Sequence, residues 1–217
     1  MPYEIISTGS KGNSIVFNTN ILLDAGLPFK TLKNYLKNID IIFISHQHSD
    51  HLQKKTISQI AYNFPTIKFI CNLDVAKVLV KCGVDFKNIW CLEENKWYNI
   101  GFAKVKLSKL KHDVHNSAFQ IEYKNGYKMI YIVDTGEIPT YIDAKGYDLY
   151  LCEANYLSEE ELDMKIQQDH DNGLEFSHYE RVRDTHLSQE QAIKWLQDNM
   201  SDNSQFEFIH QHQNREE

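Results

Sequence analysis

The stretch from Asp40 to His51, Asp-Ile-Ile-Phe-Ile-Ser-His-Gln-His-Ser-Asp-His, constrains this chain more than any other part of it. A run of apolar, β-favouring residues passes directly into three histidines and an aspartate within six positions. Titratable side chains crowded at the end of a buried strand are costly unless they share a partner. A strand that fixes the first ligand, followed by a loop that presents the others, is a common way to build a metal site. In His46-x-His48 both imidazoles can approach one ion, while Asp50 and His51, on the next bend, can turn to a second. Neutral imidazoles with a carboxylate suit zinc well, and manganese or iron acceptably. A single loop histidine is ordinarily a solvated bystander, and His170 and His178 are read that way; the clustered spacing is not.

The chain has 217 residues, 42% of them hydrophobic, enough to bury a core as one domain over 1–217 without staples. Its four cysteines show no C-x-x-C spacing, which fits reduced thiols in a cytoplasmic protein. No apolar run approaches membrane-spanning length and no leader pattern opens the chain, so no membrane partner is expected. A homodimer is left open. The net charge of −7 argues against a broad basic surface that coats nucleic acid. Two divalent cations would still place positive charge at a scissile phosphate.

Alternation and turn residues predict strands at Tyr3–Ser7, Ser14–Asn18, Ile21–Asp24, Thr66–Cys71, Phe102–Leu110, Ala118–Tyr123, Met129–Val133, Asp148–Glu153 and Gln205–Ile209. Helices are predicted after Pro28 through Leu32, Tyr35 and Leu36, and at Lys54–Asn63 and Asp74–Lys81. Capping-box patterns at Ser158–Glu161 and Ser188–Gln191 predict two more near the end. This periodicity establishes only an α/β protein.

The histidine cluster at its H-x-H-x-D-H spacing resembles the metallo-β-lactamase fold hydrolases. The resemblance implies a four-layer αββα sandwich in which further ligands follow at successive strand ends. Asp24, in Leu-Leu-Asp-Ala-Gly, matches the family's early aspartate, which supports the histidine loop. His112, in Leu-Lys-His-Asp, matches the third histidine of the first metal, and it is preferred over His115 because it directly follows an alternating strand. Asp134, in Ile-Val-Asp-Thr-Gly, matches the aspartate that bridges both metals. Taken alone, Asp24 and Asp134 would read equally well as turn residues beside glycine bends.

Within that family the second half is similar to two phosphodiesterase branches, the RNase Z-like proteins and the WalJ-like (YycJ-like) group that includes DNA exonucleases. The pieces that match the second are Glu153-Ala-Asn155, Thr185-His186-Leu187-Ser188 and Phe208-Ile209-His210, together with the opening Gly9-Ser-Lys-Gly-Asn-Ser14. The resemblance implies that His210 completes a second metal with Asp50, His51 and Asp134. The chain reads His210-Gln-His212 where the family often has His-Leu-Ser, so His212 is an alternative ligand. Glu153 would orient His186, which would meet the phosphate or protonate the leaving oxygen. His186 as the last ligand, or as a helix-start residue only, stays open. Arg181 and Arg183 are candidate phosphate contacts, with a solvated helix face the competing reading.

The implied activity is phosphodiester hydrolysis using two divalent ions, zinc in the first instance, with hydroxide held between them and Asp50 placed to hold it. Nucleic acid, especially a DNA end, is the first expected substrate. A cyclic nucleotide, as for phage-encoded proteins of this fold that act against bacterial signalling, is the second. A thioester or lactone is a third, from a different reaction class.

Overall fold

Every residue of Ile41–Ile44 is buried, which a strand achieves only when both faces of its sheet are covered. Ile41 and Phe43 point into a core shared by two sheets, whereas Ile42 and Ile44 point into a separate core beneath helices. Tyr131 and Ile130, or Leu151 and Cys152, divide in the same way in the second half, between the inter-sheet core and a third core under the last helix. The result is the four-layer αββα order expected. The computed structural model describes residues 1–211; His212, the alternative ligand, lies outside them.

Among the described residues each sheet has six strands. The first sheet runs β1 (Tyr3–Ser7), β2 (Ser14–Phe17), β3 (Ile21–Leu23), β4 (Ile41–Ile44), β5 (Lys68–Cys71) and β6 (Ile89–Cys91) in spatial order. β1 to β3 pair antiparallel, and β3 to β6 parallel. The second sheet runs from β7 (Trp97–Asn99) through β8 (Ala103–Leu110), β9 (Asn116–Tyr123), β10 (Lys128–Ile132) and β11 (Leu149–Glu153) to β12 (Gln205–Ile209). Its β10, β11 and β12 are parallel. Helices α1 (Phe29–Leu32), α2 (Lys54–Asn63) and α3 (Leu73–Lys81) belong to the first half. The second half has α4 (Glu159–Asp171), α5 (His178–Thr185) and α6 (Gln189–Asn199).

Three departures from expectation have local causes. The helix predicted after Pro28 breaks into the four-residue α1 and a 3-10 turn at Tyr35–Lys37, too short to sustain α-helical bonding without caps. At Ser158 only half of the capping box forms: Ser158 Oγ accepts from Glu161 N–H, but the Glu161 carboxylate accepts from Leu157 N–H instead. The Ser188–Gln191 box is complete. β6 and β7 were not foreseen, since three-residue edge strands carry no readable alternation.

The topology gathers chain exits. β3, β4, β10, β11 and β12 release Asp24, Ser45-His46, Asp134, Ala154 and His210 at their carboxyl ends, where open α/β sheets characteristically form sites. Asp24, Asp134 and His210 all adopt positive φ, 57°, 49° and 53°. Such backbone is uncommon outside glycine and marks places where surrounding contacts over-determine the chain.

Candidate metal centre

Four imidazoles from the first β4 loop and from β8 onward meet above these strand ends, and each has a distal atom held in place. Asp24 is fully buried and accepts from Ser45 N–H (2.7 Å), Ser45 Oγ–H (2.8 Å), Tyr131 O–H (2.7 Å) and His51 Nδ1–H (2.7 Å). Ser45 Oγ also lies 3.1 Å from His46 Nδ1. His112 Nδ1–H donates to the Thr185 carbonyl at 3.1 Å, and His48 Nε2 lies 3.3 Å from Asp113 Oδ1. With these nitrogens taken, His46 Nε2, His48 Nδ1 and His112 Nε2 are left with lone pairs directed inward, and His51 Nε2 points to the same place.

Those atoms face one another. His48 Nδ1 is 3.1 Å from His46 Nε2 and 3.3 Å from His112 Nε2. Asp134 Oδ2 lies 3.6 Å from His46 Nε2, 3.9 Å from His112 Nε2 and 3.3 Å from His51 Nε2. Asp50 Oδ2 is 3.3 Å from His51 Nε2, and Asp134 Oδ1 is 3.2 Å from His210 Nδ1. The donor atoms of His46, His48, His112 and Asp134 therefore all fall within 4.8 Å of each other, and so do those of Asp50, His51, Asp134 and His210. A third set, Asp134, Glu153, His186 and His210, meets the same spacing, but there Glu153 already engages His186 Nδ1; Asp134 belongs to all three.

The electrostatics favour cations. Burial lowers the pKa of His46, reinforced by His51, and lowers those of His112 and of His210, the last to about 4. These imidazoles are therefore neutral, as metal ligation requires. Burial works to raise the Asp134 carboxyl, but His210 and His51 outweigh it and hold it well below the usual carboxylate range. His51 is the exception: against the pull of burial, Asp134 and Asp24 raise it well above the usual histidine value. Asp134 Oδ1 is buried yet makes no hydrogen bond among the described residues. Opposed imidazole lone pairs and an orphaned carboxylate oxygen are unfavourable by themselves and fit two divalent cations.

A family model described as a beta-lactamase superfamily domain matches residues 19–210. The chain belongs to the beta-lactamase superfamily. Among solved structures of this fold, human tRNase Z, short form, superposes with a TM-score of 0.70 at 14% identity, covering 98% of this chain and 93% of that one. The metallo-beta-lactamase fold protein YhfI from Bacillus subtilis gives the same TM-score at 14% identity, covering 96% of this chain and 85% of that one. These likenesses show the metallo-beta-lactamase fold. The exodeoxyribonuclease WalJ of Streptococcus pneumoniae is 27% identical over 169 residues, 71% of this chain. The aligned region spans 62% of that relative's own length.

The superfamily core opens here into a pocket of about 190 Å3 whose walls include His48, Asp50, His112, Asp134, His186 and His210. His186 closes α5, and its Nδ1 meets the Glu153 carboxylate in a very short contact. The other Glu153 oxygen accepts from Thr135 N–H at 2.8 Å, so a fully buried glutamate is anchored by backbone on one side and carries His186 on the other. The His186 ring stacks on His210 at 5.3 Å between centroids. Burial raises the Glu153 pKa despite His186; burial works to lower that of His186, but the carboxylate overcomes it and raises it.

Arg181 reaches the pocket wall and pairs with Asp113. Arg183, expected beside it, is instead engaged by Glu159 and Asp163 and is not among the pocket residues. His178 is exposed, as its reading as a solvated residue expects, although it borders the rim of the pocket. His170 is near Glu180, away from the centre, and His115 is held between Glu94 and Asp74. Asn13 also belongs to the centre, with no role expected of it from the sequence. Its Nδ2 lies 2.9 Å from His51 Nε2 and its Oδ1 lies 3.3 Å from His210 Nδ1, so it spans the second donor group. The Gly12-Asn13-Ser14 turn was the available signal. Tyr131 and Thr185 had none, since each acts on a partner distant in sequence.

Proposed function

We propose that this chain is a metal-dependent phosphodiesterase of the nuclease type, removing nucleotides from a DNA end. The single observation that carries the reading is the pair of donor groups sharing Asp134 and facing a buttressed imidazole, His186, across one small pocket. The similarity to an exodeoxyribonuclease supports the substrate class.

His46, His48, His112 and Asp134 would hold one ion, and Asp50, His51, Asp134 and His210 the other. When bound, such a pair supplies Lewis acidity towards a phosphoryl oxygen and acidifies water. The protein's own groups do the rest. Although burial acts to raise the Asp50 carboxyl, its hydrogen bond to His51 lowers it, so Asp50 is ionised and can accept a proton or hydrogen bond from water in the pocket. His186 is kept protonated by Glu153, which occupies its Nδ1. Its remaining N–H can then donate to a departing alkoxide, the role of a general acid. Arg181 supplies charge at the wall for a second phosphate oxygen.

The test joins metal analysis to turnover. His48→Ala should lose metal and activity together. His186→Ala should keep its metal while turnover of a DNA 3′ or 5′ end falls by about 10²–10⁴-fold. Activity on DNA should also fall steeply with added salt. Metal loss in His186→Ala, or cleavage of thioesters with no phosphodiester turnover, overturns the reading.

A further inference from the structure

A second cavity of about 290 Å3 adjoins the metal pocket and shares Asn155, Val182 and Gln211 with it. The two hollows therefore lie side by side along one wall. The second runs beneath the α4–α5 pair, and its additional lining includes Tyr156, Leu162 and Tyr179. Tyr156, Leu162 and Val182 form a small apolar core of their own, with Tyr179 and Ile166 packed against it. The Tyr179 ring is braced: Lys165 Nζ sits 5.4 Å from its centroid and is fixed by Glu161 Oε1 at 2.6 Å. Side-chain amides at Asn155, Gln189 and Gln211 add groups that both donate and accept.

A planar, partly apolar ligand with hydrogen-bonding edges matches this lining, and the volume is at the small end of ligand cavities, about 300 Å3. We propose that the cavity receives the nucleoside attached to the reacting phosphate, with its base against Tyr179. The proposal rests on the phosphodiesterase reading and narrows it. A base held in a cavity, with its phosphate at the metal pocket, selects a terminal nucleotide or a small nucleotide over a strand threaded past the centre. Braced aromatic rings suit this because every base has a π face, so stacking is tolerant of sequence.

The test is calorimetric binding to zinc-loaded protein, comparing adenosine and thymidine 5′-monophosphates with inorganic phosphate. Both nucleotides should bind at least about tenfold more tightly than phosphate. That ratio should collapse towards one in Tyr179→Leu and survive in Tyr179→Phe. Wild-type protein that binds nucleotides no better than phosphate overturns the proposal, as does a Tyr179→Leu variant that keeps the preference. A protein that shows the preference but cleaves no phosphodiester keeps the cavity assignment and sinks the phosphodiesterase reading alone.

Discussion

At the scale of single residues, the centre depends as much on the groups behind the donors as on the donors. Asp24 accepts four hydrogen bonds, one of them from Tyr131, 107 positions away on the facing sheet. Asp24→Ala should leave Ser45, Tyr131 and His51 without that acceptor and lower affinity for the ion beside Asp50 by about 10–100-fold. Competition with a chromophoric chelator measures this, and unchanged affinity would remove Asp24 from the account. Legibility at this scale follows sequence distance. His46, His48, Asp50 and His51 were readable because one loop carries them all. His112, Asp134 and His210, the last with His212 as its alternative, were legible only through the family resemblance, which expects ligands at successive strand ends. Asn13, Thr185 and Tyr131 were not, because a turn amide, a backbone carbonyl and a core tyrosine carry no local mark of what they touch. Arg183 is away from the pocket for a related reason: two positions on along α5 from Arg181 it faces Glu159 and Asp163, and of the two arginines Arg181 alone lines the pocket.

At the scale of elements, glycine contacts lock the ligand loops together. A Cβ on Gly26 would come within 1.6 Å of the Asp50 carbonyl oxygen, and one on Gly136 within 2.1 Å of the Asp184 carbonyl oxygen. Both neighbours are backbone, so neither can step aside as a flexible side chain would. The same region carries Asn13 N–H to Asp50 O at 2.6 Å and Ala25 N–H to His51 O at 2.8 Å. Gly26→Ala should therefore displace the Asp50–His51 turn, weakening uptake of the second ion more than the first and destabilising the fold by about 1–3 kcal/mol. Stepwise metal titration with chemical denaturation reads both effects; equal loss at both sites would contradict the assignment. Long strands and helices were legible because their apolar periodicity repeats, as at α2, which spans the predicted Lys54–Asn63. α5 was not resolved as a helix beforehand, since Val182 and Thr185 are its only buried positions among charged neighbours.

At the scale of the whole molecule, three apolar cores hold the four layers, and the donor groups sit at their edge rather than within them. Periodicity alone supports only an α/β protein, since strands buried on both faces show no alternation; the layer order came from the resemblance to the metallo-β-lactamase fold. This division predicts that chelation leaves the sheets intact by circular dichroism while lowering the melting temperature, because ions that bind only the folded chain stabilise it by mass action. Collapse of the sheet signal on chelation would mean that the metals hold the fold itself. Anomalous scattering at the zinc edge, from crystals of zinc-loaded protein, would locate the ions themselves. A peak should appear on either side of the Asp134 carboxylate, one among His46, His48 and His112 and the other among Asp50, His51 and His210. Density at neither position, or zinc bound only elsewhere on the chain, would contradict it.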